Sequence, residues 1–354
     1  MKNKIITIVF LIIIFGLGII GIVLEDKAIS SFERRKLAQF PELTNDFAEN
    51  MNDYLVDQFA FRNELIGLNS SINRNILKKI DDKKVYIVED NIFEINYPLN
   101  EDSCIRFSSK LNYITEKCFK NVNVYYSIVP DKSCFLDESK YLKIDYSRMY
   151  NILNGTINAQ YIDISNRLGV DDYYSTDIHW KQENLLDIVE YIMDRMGKKY
   201  VDQAYYEKRY NDFYGSSYSK GNTGIKPDVL KYLYSTDIEN AFVNHLEFGE
   251  KTVYDEEKLN GIDSYDVFLS GPSSYIEIEN KNVDNDNTLI LFRDSFGSSI
   301  APLFISYYNK IIIIDLRYIN FKLIEEKLNY EQCDVLYLFS TLVINNSDIL
   351  KVNY

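Results

Sequence analysis

Tryptophan, histidine, proline and cysteine are all scarce in this chain of 354 residues, which has one Trp, two His, six Pro and four Cys. With only His179 and His245 available, and no CxxC pair among the cysteines, a zinc site is not expected. The cysteine spacing defines no disulfide framework, so we expect mostly free, buried thiols.

Basic residues are also in deficit, because 39 Lys and Arg face 53 Asp and Glu, for a net charge of −14. Phosphate binding needs a basic surface, so nucleic acid is excluded as an expected partner. The apolar share of 46% and the charged share of 26% are typical of a folded globular chain.

The N-terminus carries the longest apolar run, which extends from residue 5 to residue 24 without a charge. A helix of that length spans roughly 30 Å, the thickness of a bilayer core. The apolar core of a cleaved signal peptide is shorter. We therefore expect an uncleaved transmembrane signal-anchor over 1–24 that places residues 5–24 in the lipid bilayer. Basic residues flank both ends, so charge counting does not orient it.

The rest of the chain divides by its hydrophobic pattern into two parts. Residues 25–85 read as a linker and a helical segment that leads into the domain, and residues 86–354 read as one α/β domain. Within the domain, continuous apolar runs predict strands buried on both faces of a parallel sheet. These runs are "VNVYYSIVPD", "NTLILF", "KIIIIDL" and "DVLYLFS". The intervening "SSIAPLFISYY" and "INFKLIEEKL" predict crossover helices, as in an open α/β sheet.

A serine follows one of these strands at the point where an α/β sheet places its reactive groups. "NTLILF" runs into "RDSFGSS", so Ser295 falls at a strand-to-helix turn. Such a turn exposes a hydroxyl and aims the first helical N–H groups at the same point, which suits a tetrahedral oxyanion. The alternative is that Asp294 or Ser295 simply caps the helix.

The stretch "STDIHW" offers a base for that serine. Asp177 stands two residues before His179, and in an extended segment both side chains point the same way. The carboxylate could then bond Nδ1 and leave Nε2 free for a serine. The alternative is that both residues cap the helix that follows. His245 has no carboxylate at a useful spacing and is predicted to lie in a loop.

Three stretches together resemble the DHHW family, the SGNH-hydrolase-like proteins grouped with alginate O-acetyltransferases. They are "ERRKLAQFPEL", "TDIHW" and "LFRDSFGSSIAPLFISYYNKIIIIDLRYIN". The resemblance implies an α/β fold with a flavodoxin-like, SGNH-type open parallel sheet and flanking helices. It also implies a permuted order in which Asp-His precedes Ser. By matching positions, Ser295 would be the nucleophile, His179 the general base and Asp177 its orienting carboxylate.

The resemblance also implies a place and a reaction. The protein would be a single-pass cell-membrane protein whose extracytoplasmic domain O-acetylates a cell-envelope polysaccharide or exopolysaccharide. The acyl group would come from a donor substrate, often through a multi-spanning membrane acyltransferase, and no cofactor is expected. A carbohydrate acetylesterase and a non-catalytic glycan-binding or scaffold protein are the alternatives.

The oxyanion site departs from the family pattern. Where many members carry a "GGN" box, this chain reads "LSGPSS", which keeps Gly271 but has Pro272, a residue without an N–H. Candidates for oxyanion or substrate contacts are Gly271, Arg293 and Asn222, although Asn222 also fits a plain polar loop. Trp180 is expected to pack the histidine loop, and only secondarily to offer a platform to a sugar.

Overall fold

A computed structural model describes residues 2–30, 33–76, 81–82, 84–221, 225–283, 287–328, 330 and 332–353. The α-helices are α1 Lys2–Val23, α2 Phe47–Asp57, α3 Arg62–Asn75, α4 Glu101–Cys118, α5 Tyr146–Thr156, α6 Leu186–Arg195, α7 Tyr218–Gly221, α8 Thr236–Asn240, α9 Phe296–Ile300 and α10 Thr341–Ile344. The strands are β1 Ile29–Ser30, β2 Arg35–Lys36, β3 Asp81–Asp82, β4 Val85–Val88, β5 Asn91–Glu94, β6 Asn123–Val129, β7 Gln160–Tyr161, β8 Tyr206–Phe213, β9 Asp228–Tyr234, β10 Phe242–His245, β11 Gly249–Lys251, β12 Tyr275–Glu279, β13 Thr288–Arg293, β14 Lys310–Ile314 and β15 Cys333–Ser340.

An eight-stranded sheet forms the centre, in the order β11-β10-β12-β14-β13-β15-β6-β7. The pairs from β14 through β7 are parallel, and those that join β11, β10, β12 and β14 are antiparallel. The chain is thus mixed α/β with a mostly parallel central sheet, consistent with an SGNH-like fold. The permuted order stays an implication of the family resemblance.

Strand β13 shows why the apolar runs become central strands. All of its residues are buried. Leu289 and Leu291 pack into the core on one face of the sheet, and Ile290 and Phe292 pack into the core on the other. A strand alternates its side chains between two faces, so an unbroken apolar run suits only a strand covered on both sides. Each such side chain contributes about 1.5–3 kcal/mol of burial free energy.

The crossover helices are shorter than expected. "INFKLIEEKL" forms two 3₁₀ turns, at Phe321–Leu323 and Glu325–Leu328, so the predicted α-helix there is wrong. "SSIAPLFISYY" begins as α9 and tightens into the 3₁₀ helix Ala301–Tyr307. Pro302, at the start of that 3₁₀ helix, has no N–H to continue the α-helical ladder.

Two further expectations about scarce residues are corrected in part. His245 ends strand β10 and is buried, so the predicted loop position is wrong. The four cysteines are free thiols, but only Cys104 is fully buried and the other three are partly exposed.

The N-terminal part contains a helix and a helical pair outside the central sheet. Within α1, Lys4–Gly21 is long and apolar enough to cross a membrane, with a mean hydropathy of 2.6. The helical segment expected before the domain is present as α2 and α3. Strand β4 begins at the predicted domain boundary, and the division into 25–85 and 86–354 stays a prediction.

Candidate active site

The hydrogen bonds around Ser295 show whether Asp294 or Ser295 caps the helix that follows. Asp294 follows the end of β13, and its Oδ1 accepts a hydrogen bond from the Phe296 N–H at 3.0 Å. Its Oδ2 accepts one from the Ser340 N–H at 2.7 Å, which ties the turn to the end of β15. Ser295 makes no capping bond with its side chain. Asp294 is therefore the cap, and the Ser295 hydroxyl is left for another partner.

That partner is His179. The distance from His179 Nε2 to Ser295 Oγ is 2.8 Å, and the distance from His179 Nδ1 to Asp177 Oδ1 is 2.5 Å. Asp177 and His179 are buried and Ser295 is partly exposed, so the row runs from the interior to an accessible hydroxyl. The structure brings the three predicted residues together in hydrogen-bonding order, and their catalytic roles stay predictions.

The Asp–His contact arises from a turn, so the expected extended segment is wrong. Residues 175–179 form bends, and Asp177 Oδ1 also accepts a hydrogen bond from the His179 N–H at 2.9 Å. An Asp side chain that bonds the backbone two residues on holds such a turn closed. One carboxylate oxygen therefore fixes both the backbone and the ring of His179.

A buried lysine holds this turn from the other side. Lys132 Nζ donates to the carbonyl oxygens of Tyr174 at 2.7 Å, Ser175 at 3.2 Å and Asp177 at 3.1 Å. Burial lowers the pKa of Lys132 to about 8, although the nearby carboxylates of Asp228, Asp177 and Glu94 oppose that change. Three carbonyl acceptors converge on one ammonium group, which fixes the path of the loop before His179.

The second oxygen of Asp177 binds two groups from distant parts of the chain. The Ser216 N–H donates to Oδ2 at 2.5 Å, and Arg34 Nη1 lies 3.5 Å from it. Burial by itself raises the pKa of Asp177, but the His179 ring, its hydrogen bonds, Arg34 and the Ser216 N–H outweigh it. The pKa is therefore held below its ordinary value. Arg34 also pairs with Asp263, so this one guanidinium joins two acids.

Aromatic packing fixes the histidine ring. Tyr265 stacks on the ring of His179 with 4.0 Å between centroids and a 9° interplanar angle. The Tyr265 hydroxyl donates to Ser299 Oγ at 2.9 Å, so the stacking ring is itself held by the helix that follows Ser295. Burial raises the pKa of Tyr265, which keeps it neutral and a hydrogen-bond donor.

Trp180 joins the histidine loop to the serine turn. Its Nε1 donates to the Phe296 carbonyl at 3.0 Å and to Ser299 Oγ at 2.9 Å. The side chain has 0% exposure, so it has no face to offer a sugar in this structure. The packing role expected of Trp180 fits this geometry, and the secondary role as a sugar platform does not.

Two oxyanion and substrate candidates are corrected by their surroundings. The N–H groups of Phe296 and Gly297 are engaged by Asp294, so they do not aim at a substrate as expected. Arg293 is 1% exposed and its Nη1 lies 3.2 Å from Asp315 Oδ2, so it is a buried ion-pair residue that no substrate reaches here.

Gly271 and Asn222 are the two remaining candidates for oxyanion or substrate contacts. Gly271 has φ of +83°, and a Cβ at this position would lie 2.4 Å from Asp266 Cγ, so both the backbone and the neighbour require glycine. No oxyanion contact follows from this position. Asn222 lies outside the described residues, so its predicted role as a substitute donor is unchanged.

Two further groups near the site also had no role predicted from the sequence. Asp266 is mostly buried beside Arg34 and His179, and burial raises its pKa to about 6 against the opposing effect of the Arg34 and Lys258 charges. Arg317, in the "DLRY" motif quoted above, pairs with Asp315 through Nη2 at 2.7 Å, after the parallel neighbour of β13. Within the described ranges, no cluster of His, Cys, Asp or Glu could hold a metal ion.

Comparison with known proteins gives a family match and several solved structures of low sequence identity. A family model described as "DHHW protein" matches residues 70–314. A solved DHHW family protein from Eubacterium siraeum has TM-score 0.62 and 18% identity, and the match covers 76% of this chain and 95% of that one. Bacillus cereus PatB1 with a sulfonyl adduct has TM-score 0.58, 16% identity and coverages of 73% and 97%. The O-acetyltransferase domain of Pseudomonas putida AlgJ has TM-score 0.41, 12% identity and coverages of 74% and 92%. No relative was found among curated proteins.

Fold and site define an α/β protein with a mostly parallel central sheet and a Ser–His–Asp row beside the end of its strand β13. The chain belongs to the DHHW protein family, because the family model matches residues 70–314, more than half of its length.

Proposed function

We propose that this protein is a membrane-anchored, extracytoplasmic O-acyltransferase that acetylates a cell-envelope polysaccharide through an acyl-enzyme on Ser295. The observation that carries the proposal is the continuous row Asp177–His179–Ser295, with contacts of 2.5 Å and 2.8 Å. A serine hydroxyl is a weak nucleophile unless a base takes its proton, and this row supplies one.

The steps follow from the row. Ser295 Oγ attacks the acyl carbonyl of the donor while His179 Nε2 takes the hydroxyl proton, and Asp177 stabilises the imidazolium. The C–O or C–S bond to the leaving group breaks, and the leaving group takes that proton. A sugar hydroxyl then attacks the carbonyl of the acyl-enzyme and gives its proton to His179. His179 passes this proton to the departing Ser295 oxygen, which restores the free serine.

The lowered pKa of Asp177 supports this division of roles. A carboxylate that stays ionised holds Nδ1–H and leaves Nε2 as the basic nitrogen. A single candidate span at the N-terminus supports the membrane anchor, and the family resemblance supports a multi-spanning partner as acyl supplier. Besides Ser295, His179 and Asp177, the proposed mechanism uses only the acyl donor and the acceptor.

Turnover of an aryl acetate by the purified full chain tests the proposal. We expect Ser295→Ala and His179→Ala each to reduce turnover by at least about a thousandfold, because the two residues act as one unit. A matched control is His245→Gln, since His245 is bonded to Ser273 and not to the row. Added oligosaccharide that acquires acetyl identifies a transferase, acetate release alone identifies an esterase, and turnover that is independent of Ser295 contradicts the proposal.

A further inference from the structure

The helices α2 and α3 and the turn between them expose large parts of several apolar side chains. Leu55, Val56, Phe59 and Leu65 are 59%, 52%, 43% and 42% exposed. Together with Ile66 they line a groove of about 710 Å³, which we call the apolar groove. No described residue of α2 or α3 belongs to a hydrophobic core cluster. A contiguous apolar surface of this kind marks an interaction site.

The end of the candidate membrane span fixes where this groove lies. Gln58, in the turn between α2 and α3, accepts from the Lys27 N–H through Oε1 and donates to the Lys27 carbonyl through Nε2, both at 3.0 Å. A methyl group placed on Gly21, the last residue of the span, would lie 3.9 Å from Gln58 O and Ala60 N. The turn therefore touches the end of the span itself.

The contact between this turn and Gly21 sets the depth of the groove in the bilayer. The headgroup layer on each side of a bilayer is roughly 5–8 Å thick, less than one helix diameter. A turn in contact with Gly21 must therefore lie at that layer whenever Lys4–Gly21 crosses the membrane. Apolar side chains at this depth are covered by the upper parts of lipid acyl chains.

We propose that the apolar groove is a lipid-binding surface that seats α2 and α3 in the outer part of the bilayer, beside the span. The inference rests on the membrane anchoring in the proposed function. The proposed surface also sets the position of the candidate active site relative to the membrane. Glu33 and Ser219 also line the groove. Glu33 precedes Arg34, and Ser219 closely follows Ser216, the two residues that bind Asp177 Oδ2. The Ser–His–Asp row is thereby held at the membrane surface, where an acyl group passed through the membrane would emerge.

Fluorescence quenching by brominated lipids tests this surface on the full chain in vesicles of brominated phosphatidylcholine. Trp180 is the single native Trp and is fully buried, so it gives a constant background. The probes are Leu55→Trp and Leu65→Trp in the groove, and Ile12→Trp in the middle of the span. The matched control is Asn121→Trp, on the exposed turn that enters β6 and outside the helices α1, α2 and α3. Circular dichroism that matches the native chain shows that each variant has folded.

We expect strong quenching of the Leu55→Trp and Leu65→Trp variants by bromine near the headgroup end of the acyl chain, and weaker quenching by bromine near its tip. The Ile12→Trp variant should show the reverse order, and Asn121→Trp should show no quenching. If only Ile12→Trp is quenched, the chain spans the membrane but the lipid surface is wrong, and a protein partner becomes the occupant. If Ile12→Trp is not quenched either, the membrane anchoring fails as well.

Discussion

At the scale of single residues, Arg34 joins the N-terminal part of the chain to the candidate site. It precedes strand β2, and its Nη1 lies 3.5 Å from Asp177 Oδ2, 143 positions away in the chain. Its left-handed backbone, with φ of +53°, is uncommon for a residue other than glycine. We regard Arg34 as a positioning residue, because it acts on His179 only through Asp177. A strained backbone that carries an ion pair to a buried carboxylate is consistent with that role.

Arg34→Ala is expected to raise the pKa of Asp177 and to slow reaction of Ser295 by roughly tenfold, as about 1.4 kcal/mol of lost pairing implies. The measurement is the pH profile of aryl acetate turnover, whose acidic limb should move to higher pH. Arg34→Lys should restore part of the rate. Lys36→Ala, which removes an exposed positive charge from the same hairpin, is the control. An acidic limb that stays in place would contradict the role of Arg34.

Asp266 makes stability depend on pH. Its folded pKa of about 6 lies above the unfolded value, so the folded chain keeps a proton that the unfolded chain loses. This contribution is complete below about pH 4 and is lost as the pH rises through about 6. Asp266→Asn should therefore be more stable than the native chain at pH 7, by ~3 kcal/mol, with no difference at low pH.

Chemical denaturation of the detergent-solubilised chain at pH 4 and pH 7 measures this difference. Asp202→Asn, which removes an exposed carboxylate elsewhere in the chain, is the control. A pH-independent effect of Asp266→Asn would mean that Asp266 is ionised in the folded chain.

At the scale of elements, the loop at Gly215–Ser217 packs directly on the turn that carries Asp177. A Cβ on Gly215 would lie 2.4 Å from Asp177 Cβ and 2.5 Å from the Thr176 carbonyl oxygen. Ser217 N–H also bonds that carbonyl at 3.1 Å. The close approach of two backbones fixes Asp177 against the Ser216 N–H.

Gly215→Ala should push these loops apart, with a cost of about 1–3 kcal/mol in stability and a loss of turnover. Gly155→Ala is the matched control, because nothing lies within 4 Å of a Cβ on that helical glycine. Thermal unfolding and aryl acetate turnover of both variants give the comparison. Equal behaviour of the two variants would show that the Gly215 contact does not hold the site.

The sequence predicted elements well where one periodic pattern defines them. The apolar run of β13 and the turn after it are found as expected, because burial on both faces leaves few alternatives. The crossover at 319–328 was wrong in type, since its short apolar pattern suits 3₁₀ turns as well as an α-helix. The contacts of Arg34 and Ser216 with Asp177 could not be predicted, because they join segments that only the fold brings together.

At the scale of the whole molecule, two halves of the candidate site come from separate parts of the fold. The loop before α6 supplies Asp177 and His179, and the turn after β13 supplies Ser295. The hydrogen bonds of Trp180 and the Tyr265 stack join the two halves. The geometry of the row therefore depends on the folded core, so loss of that core should abolish the reactivity of Ser295.

The most direct test of the central claim is covalent labelling of the full chain with a fluorophosphonate, followed by peptide mass spectrometry. We expect one modified residue, Ser295, and labelling that is slowed about a thousandfold or more in His179→Ala and unchanged in His245→Gln. Label on another serine, or equal labelling of Ser295 in His179→Ala, would contradict a nucleophilic Ser295 activated by His179.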